Sequence, residues 1–359
     1  MRYLFAGGGT GGHIFPAMAV ATRARSIDSD AQILFVGTER GIENRVVRPH
    51  GFELRCVNFS GFAGQSLWRK FIVIGRLVSS VCQGLKIVSE FNPDVVIGVG
   101  GYASLPLLIA AGLRRIPVVL HEQNAIPGLA NKLASRWAGR ICISLAQGAN
   151  GFGNRAVVLT GNPVRQELFN CLPSHETEQL QLLVFGGSQG AAAINSAVLQ
   201  ALPQITAQLP NLRILHQTGE KNHADVVAAY EHLGFSNVEV LPFIDDMASA
   251  YANSQLVVCR SGATTVAELS ACGRAAVLVP LPQAAADHQT HNAQALVDEE
   301  AAVMIAQTDL SEQLAPTIVE LMKNPQKIQS MGSRAKRLSA KGAADLILNE
   351  CRMLVQKRK

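Results

Sequence analysis

Twice in this chain a short apolar run breaks into a glycine-rich turn and then into a helical pattern. Tyr3-Leu4-Phe5-Ala6 leads into Gly7-Gly8-Gly9-Thr10-Gly11-Gly12-His13, and Leu182-Leu183-Val184-Phe185 leads into Gly186-Gly187-Ser188-Gln189-Gly190-Ala191. A strand that is apolar along its whole length has to be covered on both faces, as in a parallel sheet wrapped by helices. The glycines permit the turn and the close approach of backbone to a ligand at such a junction. Two openings of this kind predict an α/β protein of two Rossmann-like domains facing a central cleft. Length agrees, because 359 residues are too many for one ordinary core. Val157-Val158-Leu159 followed by Thr160-Gly161-Asn162-Pro163-Val164-Arg165 reads as the last strand of the first domain and its exit, and the polar region Cys171 to Gln181 as a linker.

The first turn narrows the ligand. Gly7, Gly9 and Gly12 satisfy G-x-G-x-x-G, which raises a nicotinamide oxidoreductase. The second strand, Gln32 to Val36, however ends in Gly37-Thr38 and lacks the acid that would hold an adenosine ribose. A phosphate-binding P-loop fails as well, because His13 stands where its lysine would be. A sugar or a second phosphate suits the loop better. The net charge of +5 is spread without long basic blocks, which favours an anionic substrate or membrane surface over nucleic acid. Seven cysteines without a C-x-x-C pair suggest neither a disulfide framework nor a zinc site, and a reducing compartment is expected. The apolar run Tyr3 to Ala6 is too short for a signal peptide, and no run nears the ~18–20 apolar residues of a spanning helix, so a soluble or peripheral protein is expected.

Further strand ends carry polar groups. Val95 to Val99 runs into Gly100-Gly101-Tyr102-Ala103-Ser104, and Ile116 to Leu120 ends in His121-Glu122-Gln123-Asn124. In an open parallel sheet ligands sit at the carboxyl edge, so three strand ends converge on one crevice. In the second half, Val257-Val258-Cys259-Arg260-Ser261-Gly262-Ala263-Thr264-Thr265-Val266-Ala267-Glu268-Leu269 compresses a strand, a turn and a helix start, with the helix expected from Thr265. A helix start welcomes an anion. Glu268, on the face of Thr264, is placed either to take the hydroxyls of a ribose or to close a capping box with Thr265. The loop Asp287-His288-Gln289-Thr290-His291-Asn292 carries two histidines, but without a partner set no metal site is predicted. Leu67 to Val88 is amphipathic, with Trp68, Phe71, Ile74 and Leu77 apolar and Arg69 and Lys70 basic, which fits a core-facing helix or one lying on a membrane surface.

Six motifs together carry a resemblance: Gly8-Gly9-Thr10-Gly11-Gly12-His13, Gly100-Gly101-Tyr102-Ala103-Ser104, His121-Glu122-Gln123-Asn124, Gly161-Asn162-Pro163-Val164-Arg165, Gly186-Gly187-Ser188-Gln189-Gly190-Ala191 and the run from Arg260 to Glu268. In order and over nearly the whole chain, they resemble the MurG family of bacterial N-acetylglucosaminyltransferases, which convert lipid I to lipid II in peptidoglycan synthesis. The resemblance implies the GT-B fold. Residues 1–163 would be the acceptor- and membrane-associated domain, joined by a returning helix over 341–359, and residues 164–340 the donor domain. It implies UDP-N-acetylglucosamine as donor, the undecaprenyl-linked N-acetylmuramoyl pentapeptide of lipid I as acceptor, and a β-1,4 linkage made with inversion.

By the same resemblance Thr10, Gly11, Gly12, Asn124, Arg165, Ser188, Ile244, Ala263, Thr264, Thr265, Val266, Ala267, Glu268 and Gln289 bind the donor. Tyr102 and Ser104 lie on the acceptor side. No cofactor or metal is implied, since UDP-N-acetylglucosamine is a substrate. The protein would sit peripherally on the cytoplasmic face of the inner membrane, meeting an anionic lipid surface through residues 68–77 and leaving room for other cell-wall synthesis proteins as partners, with no nucleic acid. One departure is the loop Gln283-Ala284-Ala285-Ala286-Asp287, which carries little basic charge. Inversion needs a base for the acceptor hydroxyl, and His13 and Glu122, at strand ends of the first domain, are the candidates for base or acceptor-orienting group. A UDP-sugar epimerase of the same fold and a non-catalytic sugar-nucleotide-binding subunit are the competing classes, and turnover of free UDP-sugar separates the epimerase.

Overall fold

The computed structural model describes residues 1–39, 41–57, 67–171 and 180–358, and for residues 67–74 and 76 it describes the backbone alone. The chain divides into two compact units, Met1–Arg165 with Gly342–Lys359, and Gln166–Lys341. The division therefore falls before the polar region expected to be the linker. Leu168 and Cys171 are already buried in the second unit, where the Cys171 thiol donates to the Ala248 carbonyl at 3.1 Å. Composition alone reads such a stretch as a tether, whereas two apolar anchors fix its start to a core. Residues 172–179 lie outside the described residues.

The first unit strings together β1 (Arg2–Gly7), α1 (Gly11–Ile27), β2 (Gln32–Gly37), α2 (Glu43–Val46), β3 (Glu53–Cys56), α3 (Leu67–Phe91), β4 (Val95–Gly100), α4 (Ser104–Leu113), β5 (Val118–Glu122), α5 (Leu129–Ala134), β6 (Arg140–Ile143) and β7 (Val157–Leu159). Its sheet runs β3-β2-β1-β4-β5-β6-β7, parallel throughout. Every residue of β4 is buried, as apolar strands with helices on both faces must be. Each fully buried Val or Ile there contributes about 1.5–3 kcal/mol of hydrophobic stabilisation. The order reverses between β1 and β4, so their carboxyl ends flank the crevice where such sheets bind ligands.

The second unit repeats the plan with β8 (Gln181–Phe185), α6 (Ala192–Gln208), β9 (Arg213–Gln217), α7 (His223–His232), β10 (Val238–Leu241), α8 (Met247–Asn253), β11 (Leu256–Cys259), α9 (Ala263–Cys272), β12 (Ala275–Leu278), α10 (His288–Val297), β13 (Ala302–Met304), α11 (Leu310–Met322) and α12 (Pro325–Arg337). Its parallel sheet runs β10-β9-β8-β11-β12-β13, with the reversal between β8 and β11. The last helix, α13 (Ala343–Arg358), returns to the first unit, where Ile347, Leu348 and Cys351 join the core formed with α1, and Arg140 pairs with Glu350 at 2.9 Å.

Helix α3 has two characters. Ile87, Val88 and Phe91 are buried core residues, and Gly84 lets the helix approach α4 so closely that a Cβ there would lie 3.2 Å from the Pro106 carbonyl oxygen. Nearer its start Leu77 is half-buried and Val78 is 59% exposed, while the side chains of Trp68, Arg69, Lys70, Phe71 and Ile74 lie outside the described residues. Among the described residues no helix is long and apolar enough to cross a membrane. All seven cysteines are free thiols.

Candidate active site

In the first unit the glycine turn presses against the neighbouring strand end. Gly7 has φ +139°, and a Cβ there would collide with the Gly100 carbonyl oxygen, so only glycine fits. The turn is braced by an acid that sequence reading missed. Glu43, fully buried at the start of α2, accepts the Gly9 N–H at 2.9 Å and the Thr38 N–H at 3.3 Å, while Gly8, Gly37 and Gly41 leave the space its carboxyl occupies. Helix α1 then starts at Gly11 with Thr10 as its extended N-cap, and Pro16 falls in its second turn. Thr10 is exposed, and Gly12 and His13 are half-buried in the first turn of the helix.

Beside them, the end of β5 is a fully buried polar cluster. Glu122 is 1% exposed, and its carboxylate accepts four N–H groups: Asn124 backbone at 3.0 Å, Asn124 side chain at 3.1 Å, Gly128 backbone at 3.0 Å and Asn131 side chain at 2.9 Å. A carboxylate so occupied fixes the loop into α5 and is unsuited to take a proton from a substrate. Glu122, expected as base or acceptor-orienting group, is instead a buried carboxylate whose bonds are taken up by its own loop. His121 is buried between the Gln123 side chain at 3.1 Å, Ser144 at 3.2 Å and the Gly161 carbonyl at 3.3 Å. Gln123 bridges onward, its Oε1 lying 3.1 Å from His13 Nδ1. Of the acceptor-side candidates Tyr102 is 36% exposed, but Ser104 is fully buried and its hydroxyl donates to the Gly101 carbonyl at 2.7 Å, closing the turn into α4. Ser104 is therefore a structural group. Arg165 stacks its guanidinium over Phe15 of α1 at 6.0 Å, which brings it to the same helix start. Thr10, Gly11, Gly12, His13, Asn124 and Arg165 thus lie on one edge of this unit.

In the second unit Gly187 and Gly190 have φ of +91° and +74°, and a Cβ on Gly190 would strike the Thr218 carbonyl oxygen. That conformation leaves Ser188 exposed at the turn before α6. On the adjacent strand the N-cap of α9 is Gly262, in extended conformation, and Val266 N–H closes the first helical bond to Gly262 at 2.9 Å. The helix therefore starts at Ala263, two residues earlier than expected. Glu268 sits in its second turn, too deep for a capping box, and that reading is overturned. The residue is 9% exposed, and its carboxylate accepts the hydroxyl of the fully buried Tyr251 at 3.1 Å.

Arg260 donates to the carbonyls of Val279 and Pro280, at 3.2 and 2.9 Å, and to Gln307, so it orders the loop after β12. Ser261 Oγ donates to the Gln289 carbonyl at 2.8 Å, and the Gln289 side-chain oxygen accepts the Leu281 N–H at 3.0 Å. Gln289 is thereby anchored beside the start of α9. Ile244, buried beyond β10, lies on the same carboxyl edge. Among the described residues no three His, Cys, Asp or Glu side chains gather as a metal site, the His288–His291 loop included.

Each unit hides one neutral histidine under its site. Burial pushes the imidazoles of His121 and His216 down from 6.5 to about 4, and His216 sits between Tyr230 at 2.9 Å and Asn195 at 3.1 Å. The unfolded chain takes up these protons below pH 6.5, and the folded chain only near pH 4. Their stabilisation is therefore complete above pH 6.5 and is lost as pH falls toward 4. Lowering the pH from 7 to 5 is expected to destabilise each unit by about 2 kcal/mol through its histidine. Denaturant titration at the two pH values measures this, and superimposable curves would refute it.

Two doubly wound units, each with a glycine turn and a helix start at its switch point, make up the GT-B fold. The glycosyltransferase family 28 N-terminal domain model matches residues 3–143, and the family 28 C-terminal domain model matches residues 181–347. The UDP-N-acetylglucosamine--N-acetylmuramyl-(pentapeptide) pyrophosphoryl-undecaprenol N-acetylglucosamine transferase of Syntrophotalea carbinolica is 51% identical over 353 residues, covering 98% of each chain. The crystal structure of Acinetobacter baumannii MurG aligns with a TM-score of 0.76 at 31% identity, over 97% of this chain and 99% of that one. The chain belongs to the MurG family. A UDP-GlcNAc 2-epimerase from Neisseria meningitidis aligns with a TM-score of 0.68, over 97% of this chain and 99% of that one, but at 13% identity, which is a likeness of fold alone.

Proposed function

We propose that this chain transfers N-acetylglucosamine from UDP-N-acetylglucosamine to the C4 hydroxyl of the N-acetylmuramoyl pentapeptide of lipid I, with inversion, giving lipid II for peptidoglycan synthesis. The observation that carries the reading is 51% identity along 98% of the chain to a transferase named for this reaction. In the single displacement the acceptor C4 oxygen attacks the anomeric carbon from the face opposite UDP. The new C–O bond forms as the bond to the β-phosphate oxygen breaks, and its electron pair leaves with UDP. His13 takes the hydroxyl proton. The helix starts at α6 and α9, with Arg165, supply positive charge for the departing diphosphate. Thr10, Gly11, Gly12 and Asn124 in the first unit, and Ser188, Ile244, residues 263–268 and Gln289 in the second, hold the donor, with Tyr102 on the acceptor side.

The first half of α3 is proposed to lie on the anionic cytoplasmic surface of the membrane, where a lipid-linked acceptor has to be met. The 59% exposure of Val78 on that half supports this reading. Sugar-labelled donor incubated with lipid I in anionic vesicles is expected to pass label to the lipid, while the protein co-sediments with the vesicles and its Phe71→Asp, Ile74→Asp variant does not. Epimerised UDP-sugar accumulating without acceptor would overturn the transferase reading, and sedimentation unchanged in the folded variant would overturn the membrane one.

A further inference from the structure

We propose that Gln123 sets the tautomer of His13, holding the proton on Nδ1 so that Nε2 offers the lone pair that takes the acceptor proton. The proposal rests on His13 as the base. It follows from which atoms near Gln123 can only accept. The carboxamide is 1% exposed, and its Nε2 lies 2.9 Å from the Val99 carbonyl oxygen and 3.1 Å from His121 Nδ1. Turning the amide over would set two oxygens 2.9 Å apart at Val99, so the nitrogen has to face that carbonyl. The amide oxygen therefore faces His13 Nδ1 at 3.1 Å, and an amide oxygen cannot donate. His13 Nδ1 must bring the proton.

The other end of the chain of bonds agrees. One amide hydrogen goes to Val99, and the second has His121 Nδ1 at 3.1 Å and the His121 carbonyl at 3.4 Å before it, so the shorter contact is a bond when Nδ1 accepts. His121 then carries its proton on Nε2, where the Gly161 carbonyl at 3.3 Å is an acceptor only and Ser144 Oγ at 3.2 Å accepts equally well. A neutral His121 is what this polarity needs, and burial keeps it so, with its imidazole pushed down to about 4. The Val99 carbonyl at the end of β4 thus fixes the orientation of the Gln123 amide and with it the proton on His13 Nδ1, and the Gly161 carbonyl beyond β7 is consistent with the same polarity. The ring of His13 lies against the Gly100 backbone, where a Cβ would come 2.9 Å from its Cε1. Among the described residues its one ring hydrogen bond is at Nδ1.

A free neutral imidazole exchanges between two tautomers, and the one protonated on Nε2 meets a hydroxyl with a donor and cannot take its proton. Gln123 is a positioning residue that removes that state. Nitrogen NMR of the full chain labelled in histidine is expected to show neutral His13 protonated on Nδ1, and to show both tautomers in Gln123→Met. In that variant kcat is expected to fall about tenfold with donor KM unchanged, because part of the population keeps the competent tautomer. Added to His13→Ala, the same change is expected to do nothing further, since it acts through His13. Wild-type His13 protonated on Nε2 overturns the proposal even if Gln123→Met fails to fold. A tautomer that scrambles in Gln123→Met while kcat holds would uphold the assignment of Gln123 and remove His13 as the base.

Discussion

Replacing His13 with alanine is expected to lower kcat by about 10²–10⁴-fold at saturating acceptor, a loss of roughly 2.7–5.4 kcal/mol of transition-state stabilisation. The size follows from its being the side chain of this unit that combines partial exposure at the carboxyl edge with a ring nitrogen left over after its structural bond to Gln123. Donor affinity is expected to hold, since a proton acceptor acts in the transition state and contributes little to ground-state binding. Glu122→Gln is the contrasting variant. It sets an amide NH2 among the four N–H groups that now converge on a buried carboxylate, so it should destabilise the loop into α5 by about 1–3 kcal/mol. Kinetics at saturating acceptor, alongside thermal unfolding, separate the two. A His13→Ala enzyme within threefold of wild-type kcat would take this imidazole out of the chemistry.

The second large effect belongs to Glu268. Its position in the second turn of α9 removes the capping role; in the proposed function its carboxylate takes the ribose diol, with the Tyr251 hydroxyl at 3.1 Å bonded to that carboxylate. Burial and the neighbouring carboxylate raise the Tyr251 hydroxyl well above its ordinary value, so it stays a donor. Glu268→Gln is expected to weaken UDP-N-acetylglucosamine binding by about 1.5–3 kcal/mol, roughly ten- to a hundredfold, as a charge-assisted pair becomes a neutral one. The wild type should discriminate against the 2′-deoxyribose donor, and the variant should not. Calorimetric titration of both proteins with both donors measures all four affinities. Four equal values would leave Glu268 as the partner of Tyr251 and nothing more.

What could be read from the residues in order is what depends on neighbours in sequence. Strands such as Val95–Gly100 announce themselves because burial on both faces makes them continuously apolar, and the glycines at 7, 9, 187 and 190 mark turns that need their backbone freedom. The groups that finish the site depend instead on distant partners. Glu43 is 34 residues from the Gly9 amide it accepts, and Tyr251 is 17 from Glu268. Nothing local tells either carboxyl where it will point. Ser104 and Glu122 are turned inward for the same reason: their types were right for the chemistry, but nearer backbone and asparagine groups claim their hydrogen bonds. The capping-box reading missed because Gly262, which has no side chain to cap with, nonetheless adopts the extended conformation that starts α9.

The return of α13 to the first unit has a consequence for synthesis. The second unit is one unbroken stretch, Gln166–Lys341, inserted into a first unit whose final eighteen positions, Gly342–Lys359, are translated after it. On the ribosome the sheet of β1 to β7 has emerged long before Ile347, Leu348 and Cys351 exist to cover the apolar flank they share with α1. The first unit's sheet therefore stands open along its α1 flank for the whole time that the inserted unit is being translated. The domain that is begun first is thus completed by the segment made last, and its open flank is where a chaperone would have work.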